Sequence, residues 1–344
     1  MRKDLTPREA ADLILKGKLV AFPTETVYGL GAHALNENAV KNIYLAKGRP
    51  ANNPLICHFS DTKTLFQYGK KSNTAEKLSR YWPGPLSIIL PHEGKIPLSV
   101  TAGSELCAFR IPDHPAALEM LRAVNSPVAA PSANLSGKRS PVTAEMVEED
   151  LGDRIDGILD GGRCIVGIES TVLLLENERI QILRKGSITE EFLISEGFDV
   201  SLSSEFKSSP EKLLSPGLDR IHYRPSIPLY FLLEEKELEI DSISLKKSAA
   251  PFKNPGFLAF GKTDAPNFIP GENILHLSET ENLDEAAHNL YFIFETMKRK
   301  SWDAAFIRPL PEKETGRAVN DRLKRACTSV AVVKNREIIG YLEN

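Results

Sequence analysis

Residues 18–31 read KLVAFPTETVYGLG, and the predicted fold is organised around this stretch. Residues 19–22 form a short apolar run that predicts a buried strand, and Pro23 should end it because proline cannot continue a central ladder. Three polar residues, 24–26, follow the strand, and open α/β sheets collect ligand-binding groups at strand ends. On this stretch alone, a capped turn before a helix and a ligand-binding turn explain the pattern equally well.

The composition is that of an ordinary globular protein. A chain of 344 residues predicts two domains or one large one, either of which can bury a sizeable core. The formal net charge of −3 gives no overall nucleic-acid signature, although a local basic surface remains compatible with it. The four cysteines form no CxxC pair, which argues against a zinc ribbon or a thioredoxin-like site.

The N-terminal residues MRKDLTPREAADLILKGK do not resemble a signal peptide, because Asp4, Arg8, Glu9 and Asp12 interrupt any apolar segment. No apolar run elsewhere is long enough to span a bilayer. We therefore expect a cytoplasmic protein that does not interact with membranes.

Hydrophobic periodicity and cap residues predict one α/β unit over residues 1–200. Thr6 and Glu9 form a predicted capping box, and Thr143 is a predicted N-cap. The predicted helices cover residues 6–17, 36–47, 74–82 and 115–124, with another after Thr143. The predicted strands after the first cover residues 55–59, 86–90, 106–111, 127–130, 157–160, 170–175 and 180–184.

The composition changes after residue 200. Residues 201–227 are predicted to form a linker. Their segment SPGLDRIHYRP, residues 215–225, contains two Arg, one His and one Tyr, which is unusual for a flexible linker. A second, smaller α/β domain with a parallel sheet is predicted over residues 228–344. Its predicted strands cover residues 229–233, 257–260, 304–307 and, as the last strand, 330–333; its predicted helices cover residues 283–298 and 316–326.

Several polar residues are candidates for a binding site. Lys47 and Arg49 follow a helix and suit phosphate oxygens, but a solvated helix end is the commoner explanation of two such cations. A single strand histidine such as His58 is more often structural than functional. Arg110 lies among apolar residues and needs an anionic partner, which is either Glu25 or a ligand carboxylate.

The remaining candidates form turns at strand ends. Residues 131–137, PSANLSG, offer hydroxyl, amide and backbone donors to an anion, but they form neither a Walker A loop nor a GxGxxG loop. No nucleophile elbow, catalytic triad or metal-ligand spacing is present in the sequence. The pattern indicates a site for an anionic substrate that acts by positioning and charge stabilisation.

Six motifs in order closely resemble the YrdC-type threonylcarbamoyl-AMP synthase family in its long, two-domain form. They are FPTETVYGLG (22–31), KGRPANNPL (47–55), FRIPDHP (109–115), APSANLSG (130–137), ESTV (169–172) and SPGLDRIHYRP (215–225). The resemblance implies a YrdC-like twisted open mixed sheet with helices over residues 1–200, and a smaller C-terminal Rossmann-like α/β domain over residues 228–344. It also implies that the linker, residues 201–227, lies over the active site.

The resemblance implies synthesis of threonylcarbamoyl-AMP and pyrophosphate from L-threonine, bicarbonate and ATP, with Mg²⁺ accompanying ATP. The product serves the threonylcarbamoyladenosine modification of tRNA, so contact with tRNA would be indirect, through later proteins of the pathway. No catalytic residue is identified. The implied threonine contacts are Thr26, His58, Arg110, Ser132 and Ser170. The implied ATP contacts are Lys47, Arg49, Asn53, Asn134, Ser140, Arg184, His222 and Tyr223.

Two other functions share parts of this pattern. An RNA-binding module acting in translation or ribosome assembly would need a basic concave surface and no ATP, and the near-neutral charge argues against it. A carbamoyltransferase of the hydrogenase-maturation type also contains a YrdC-like domain. That family carries an acylphosphatase domain and zinc-finger cysteines as well, and neither is evident in this sequence.

Overall fold

A computed structural model of the chain describes residues 1–176, 178–201, 223–235, 245–246, 252–262, 265–335 and 337–342. His222 and most of the predicted linker lie outside these residues. The chain divides into two compact units. Unit 1 comprises Met1–Ser136 and Ser140–Asp219, and unit 2 comprises Gly137–Arg139 and Arg220–Asn344. The short segment Gly137–Arg139 thus belongs to unit 2, although it lies within the sequence of unit 1.

Unit 1 is built on a mixed ten-stranded sheet within its described residues. Its strands are β1 (Val20–Phe22), β2 (Gly29–His33), β3 (Ile56–His58), β4 (Leu86–Pro91), β5 (Leu106–Arg110), β6 (Val128–Ala130), β7 (Gly157–Ile158), β8 (Thr171–Glu176), β9 (Arg179–Arg184) and β10 (Val200–Ser201). Their order is β10-β9-β8-β4-β5-β3-β6-β2-β1-β7. Four pairs are parallel, β1 with β7, β3 with β5, β4 with β8 and β9 with β10, and the others are antiparallel.

Two helices of unit 1 begin at the predicted cap residues, Thr6 and Thr143. The described helices of this unit are α1 (Pro7–Leu15), α2 (Glu37–Lys47), α3 (Thr62–Tyr68), α4 (Asn73–Leu78), α5 (Leu98–Thr101), α6 (Pro115–Val124), α7 (Ala144–Leu151) and α8 (Glu190–Ser195), with 3₁₀ turns at Ser79–Tyr81 and Gly152–Arg154. The predicted capping box is confirmed, since the Thr6 side chain accepts from the Glu9 amide and the Glu9 side chain accepts from Thr6. Thr143 is the N-cap of α7, as predicted.

The predicted helix-capping turn after β1 is wrong. The chain instead turns into β2, which pairs antiparallel with β1 and joins Phe22 to Gly29 and Val20 to Gly31. Glycine has a low strand propensity, so residues 29–31 were not predicted to form a strand. The Phe22 ring nevertheless requires glycine at these positions. A Cβ atom at Gly31 would lie 2.9 Å from Phe22 Cε1, and one at Gly29 would lie 3.1 Å from Phe22 Cζ. The two glycines therefore form the surface on which this ring packs.

Strand direction decides which loops can meet. β1 and β6 run in one direction, and β3 and β5 run in the other. The polar residues at the ends of β3 and β5 therefore lie at one edge of the sheet. The polar residues that follow β1 and β6 lie at the opposite edge. Because β1, β3 and β6 are three residues long, roughly 10 Å separates the two edges, and one long side chain can cross much of it.

One apolar cluster supports these strands. It joins α1 and α6 to β1 and β6 through Ile14, Phe22, Met120, Leu121 and Val128, all of which are 0–1% exposed. Burial of this apolar surface stabilises the strand end from which the TETVY turn departs.

Unit 2 contains a seven-stranded sheet within its described residues. Its strands are β11 (Leu229–Glu234), β12 (Leu245–Lys246), β13 (Pro255–Phe260), β14 (Ile274–Ser278), β15 (Ala304–Ile307), β16 (Ser329–Lys334) and β17 (Glu337–Leu342), in the order β12-β17-β16-β11-β15-β13-β14. Its helices are α9 (Leu283–Arg299) and α10 (Glu314–Ala326).

The predicted parallel sheet is confirmed for β11, β13, β14, β15 and β16. The prediction that the strand at residues 330–333 is the last one is wrong, because β17 follows it and pairs antiparallel with both β16 and β12. Charged and polar residues at positions 334–337 interrupt the apolar pattern between β16 and β17. The sequence therefore did not predict β17. Among the described helices, none combines the length and the apolar character needed to cross a membrane.

We expect Gly31→Ala to destabilise the protein by about 1–3 kcal/mol, since the added methyl group overpacks the Phe22 ring and Val128. Urea unfolding measures this change. Gly152→Ala is the matched control, because Gly152 has helical φ and ψ of −47° and −44° and the new Cβ would lie 3.5 Å from Glu148 Cγ, an ordinary contact distance. Equal midpoints for Gly31→Ala and the wild type would contradict the role given to this glycine.

Candidate active site

Arg110 is paired within the protein. Its Nη2 lies 2.9 Å from Glu25 Oε1 and donates to Thr26 Oγ1 at 2.8 Å. The Arg110 and Glu25 side chains are only 5% and 6% exposed. Of the two partners that the sequence left open, Glu25 is therefore present. One donor is still available, since Arg110 Nε is buried and has no hydrogen-bond partner among the residues that the structure describes.

Glu25 is held on several sides. Its Oε2 accepts from the Asp113 amide at 3.1 Å, and its backbone carbonyl accepts from the Val166 amide at 2.7 Å. Thr24 shapes the same turn, because its Oγ1 donates to the Val27 carbonyl and accepts from the Thr26 amide. Hydroxyl groups that bond to a nearby backbone in this way are typical of tight turns. The turn that carries Thr26 is thus rigidly built.

His58 lies directly opposite Arg110 in the parallel pair β3–β5, which puts both side chains on one face of the sheet. Its Nδ1 is 3.1 Å from the Ile56 carbonyl, and its ring meets Phe22 edge-on at 5.7 Å. Burial, and then the charge of Arg110, lowers the pKa of His58 to about 3. His58 is therefore a neutral imidazole at physiological pH.

Lys47 is buried, so the interpretation of a solvated helix end is wrong for it. It is 2% exposed, and its Nζ donates to the carbonyls of Ser132, at 2.6 Å, and Asn134. The Ser136 amide donates in turn to the Lys47 carbonyl. Burial, and then the charge of Arg49, lowers the pKa of Lys47 well below its usual value. The end of α2 and the Ser132–Asn134 turn are thereby joined.

Arg49 closes the loop that follows α2. Its Nε donates to the Asn53 carbonyl at 3.1 Å, and its Nη2 donates to the Pro54 carbonyl at 3.0 Å and to Asn53 Oδ1. Gly48 makes this turn possible because it adopts a left-handed conformation with φ of 60°. These hydrogen bonds fix the Arg49 side chain against the Asn53–Pro54 segment.

Three predicted contacts lie beside strands β8 and β9. Ser140 donates to Glu169, and Arg184 donates through Nε to the Ser170 carbonyl at 3.0 Å and through Nη2 to Ser170 Oγ at 3.1 Å. The Ser170 hydroxyl also lies 2.9 Å from that of Ser87. Sequence analysis identified Ser140, Ser170 and Arg184 but missed Ser87, whose only local signal is a polar residue within an apolar strand.

Tyr28 links the TETVY turn to two loops. Its backbone amide donates to the Pro141 carbonyl, and its carbonyl accepts from the Ala133 amide. Its hydroxyl donates to Asp160 Oδ1, at 3.0 Å, or to the Gly162 carbonyl, at 2.8 Å. Burial raises the pKa of the Tyr28 hydroxyl. Tyr28 is therefore a supporting residue.

Not every predicted site residue is brought together by these contacts. Thr26, His58 and Arg110 form one group, Lys47, Ser132 and Asn134 a second, and Ser170 and Arg184 a third. Tyr223 belongs to unit 2, where it is 1% exposed and packs 5.7 Å from the Tyr291 ring and 5.8 Å from Arg322 Cζ. Its predicted ATP contact, like that of His222, stays a prediction.

Comparison with known proteins connects these groups to a family. Residues 12–186 match a family model described as "Telomere recombination", and residues 180–328 match one described as "Threonylcarbamoyl-AMP synthase, C-terminal domain". Two curated relatives, both named threonylcarbamoyl-AMP synthase, are similar over nearly the whole chain. That of Pyrococcus abyssi is 38% identical and covers 93% of each chain, and that of Bacillus subtilis is 38% identical and covers 92% of each.

A solved structure agrees with this. The crystal structure of P. abyssi Sua5 complexed with L-threonine matches with a TM-score of 0.79 and 36% identity, covering 95% of this chain and 96% of that one. The predicted fold, a YrdC-like sheet with a smaller C-terminal α/β domain, is confirmed. The match to the C-terminal model also favours the long form over the two alternative functions. The chain belongs to the threonylcarbamoyl-AMP synthase family.

Proposed function

We propose that the protein is an L-threonylcarbamoyladenylate synthase, a nucleotidyltransferase. It makes threonylcarbamoyl-AMP and pyrophosphate from L-threonine, bicarbonate and ATP, and the product serves threonylcarbamoyladenosine modification of tRNA. Membership of the family supports the activity. The observation that carries the proposal is the buried Arg110, whose Nε lacks a partner among the described residues although its Nη2 is paired.

The threonine half of the site follows from this observation. A buried guanidinium donor without a partner is costly, and a carboxylate is its best complement. The threonine carboxylate would accept from Arg110 Nε, while Glu25 keeps Nη2 in place. The hydroxyls of Thr26, Ser132 and Ser170 and the neutral ring of His58 complete the polar groups proposed for threonine. Glu25 thus acts by orienting Arg110 and does not compete for Nε.

The nucleotide half is supported by two buried cations at the end of α2. Lys47 and Arg49 are held in place by backbone and amide oxygens, and an ammonium and a guanidinium group both suit phosphate oxygens. Asn53, Asn134, Ser140 and Arg184 add donors on the neighbouring loops, and His222 and Tyr223 are proposed to contribute from the linker. Positive charge fixed before the reaction stabilises the charge that develops as phosphate bonds rearrange.

The first step joins threonine to bicarbonate. The threonine amine attacks the carbon of bicarbonate, a C–N bond forms, and water leaves, which gives an N-carboxylate, the carbamate. Binding of both reactants beside Arg110 lowers the entropic part of this barrier. His58 is not the base that deprotonates the threonine ammonium, because an imidazole whose protonated form has a pKa of about 3 is too weak a base to take a proton from an ammonium group.

The second step transfers the nucleotidyl group. A carbamate oxygen attacks the α-phosphorus of ATP, the bond to the bridging oxygen of the β-phosphate breaks, and pyrophosphate leaves with the electron pair. The protein contributes position and positive charge from Lys47, Arg49 and Arg184. Carbamates and acyl-adenylates hydrolyse readily, so water must be kept away until the product leaves.

Mg²⁺ is proposed to enter with ATP. Among the described residues, no group of three or more His, Cys, Asp or Glu side chains could hold a metal ion, so the protein offers no cage of its own there. Mg²⁺ usually keeps several waters and binds through substrate phosphates. It would supply charge neutralisation on those phosphates, and the steps above assign it no other part.

The activity predicts release of pyrophosphate that depends on threonine. Purified protein incubated with ATP, bicarbonate and labelled L-threonine should yield labelled threonylcarbamoyl-AMP and an equal amount of pyrophosphate. Omitting bicarbonate, or replacing threonine with alanine, is the control. Pyrophosphate release that is indifferent to threonine would reject the proposed function.

We expect Arg110→Lys to weaken threonine binding by about tenfold or more while ATP affinity stays within about twofold. Lysine keeps a positive charge beside Glu25 but loses the Nε donor, so the fold is less endangered than in Arg110→Ala. Isothermal titration with each ligand separately measures both affinities. Arg179→Lys is the control, since Arg179 forms an exposed pair with Asp199. Equal losses for threonine and ATP would contradict the role of Arg110.

The lowered pKa of His58 predicts a loss of stability in acid. Below pH 6.5 the unfolded state takes up a proton that the folded state accepts only near pH 3, so folding weakens as pH falls through this window. From pH 7 to pH 5 this one group costs about 2 kcal/mol. We expect His58→Asn to remove that part of the pH dependence. Urea unfolding at both pH values measures it, and equal pH dependence in the two proteins would contradict this account.

A further inference from the structure

Ser87 and Ser170 form a hydroxyl pair inside unit 1. Ser87 lies on β4, Ser170 immediately precedes β8, and the two strands run parallel, with Ser87 paired to Val172. The two Oγ atoms are 2.9 Å apart, and both residues are 0% exposed. Ser170 is a proposed threonine contact, whereas Ser87 has no assigned function.

The hydrogen bonds around Ser87 favour one direction of donation when a ligand is bound. Among the described residues, Ser170 Oγ is the only hydrogen-bond partner found for the Ser87 hydroxyl, and either oxygen can be the donor. A buried hydroxyl proton without an acceptor is costly. If Ser170 donates, the Ser87 proton has no acceptor; if Ser87 donates, a ligand oxygen can accept the Ser170 proton. With a ligand oxygen beside Ser170, donation by Ser87 therefore satisfies both hydroxyl groups.

Arg184 occupies the other side of Ser170 Oγ. Its Nη2 donates to that oxygen at 3.1 Å, and its Nε donates to the Ser170 carbonyl at 3.0 Å. A serine hydroxyl has two acceptor lone pairs and one proton to donate. With Ser87 and Arg184 both donating, the two lone pairs are filled. The Ser170 proton is then the only polar capacity left for a ligand.

We infer that Ser87 is a positioning residue that makes the Ser170 hydroxyl an obligate donor to an anionic oxygen of the threonine-derived substrate. The acceptor is an oxygen of its carboxylate or of the carbamate built on it. A hydroxyl so arranged rejects an ammonium group, which has donors only. Where the acceptor is a carbamate oxygen, the contact favours threonine in the form already converted to the carbamate. This inference rests on the proposed function and concerns the polarity of one contact within it.

Kinetics of Ser87→Ala test the inference. Losing the donor lets Ser170 turn its proton toward another acceptor, so we expect kcat/KM for threonine to fall on the order of tenfold, with the KM for ATP unchanged. Ser87→Cys keeps a weak donor of similar size and should recover part of the loss. Thr101→Val is the control for loss of a buried hydroxyl, because Thr101 is 1% exposed and donates to the Ser104 carbonyl at 2.7 Å.

A double-mutant cycle separates positioning from packing. In Ser170→Ala, the further change Ser87→Ala should have no effect on kcat/KM for threonine, because Ser87 acts through the missing hydroxyl. Additive losses of kcat/KM in the double variant would overturn the inference. It would also be overturned if Ser87→Ala and Thr101→Val lost stability and kcat/KM to the same extent. An active wild type with an unchanged Ser87→Ala variant rejects this inference alone. A wild type without threonine-dependent pyrophosphate release rejects the proposed function and the inference together.

Discussion

The ion pair between Arg110 and Glu25 is the constraint on which the site depends. Both side chains are almost completely buried, and a buried charge is tolerated only when its partners are well placed. Removing one member of such a pair costs about 3–5 kcal/mol, because the other charge remains without compensation. Glu25 also holds the Asp113 amide, and its neighbour Thr26 accepts from Arg110. The pair thus fixes the turn after β1, the end of β5 and the start of the segment before α6.

The second group of charges is held on a different principle. Lys47 donates to the carbonyls of Ser132 and Asn134, and Arg49 donates to those of Asn53 and Pro54, so backbone oxygens from two loops hold both cations. Burial, and then the charge of Arg49, lowers the pKa of Lys47, and the charge of Asp150 acts in the opposite direction. An anion that bound beside Lys47 would raise this pKa. The two groups therefore differ in how their charges are held, by a carboxylate at Arg110 and by backbone carbonyls at Lys47.

The sequence predicted the elements whose signals are local. Pro23 ended β1, Thr143 capped α7, and Pro115 opened α6 over its predicted range. It missed β2, because Gly29 and Gly31 have poor strand propensity and are needed only by a ring that arrives from β1. Burial of Lys47 was missed for a similar reason, since the two carbonyls that enclose it come from the Ser132–Asn134 turn. Ser87 and Ser170 are 83 positions apart, and only the register of β4 and β8 makes them neighbours.

The segment Gly137–Arg139 shows how far a sequence motif can differ from a structural unit. It lies between two proposed nucleotide contacts, Asn134 and Ser140, yet by its contacts it belongs to unit 2. There the Gly137 carbonyl accepts from the Arg224 amide, and Arg139 donates through Nε and Nη2 to Glu295 on α9. Both side chains of that pair are largely buried, so Arg139 needs Glu295 as Arg110 needs Glu25. A chain that ended before residue 220 would lack Glu295 and would have to satisfy this arginine in another way. Glu295 and the Arg224 amide therefore hold the segment Gly137–Arg139 within unit 2.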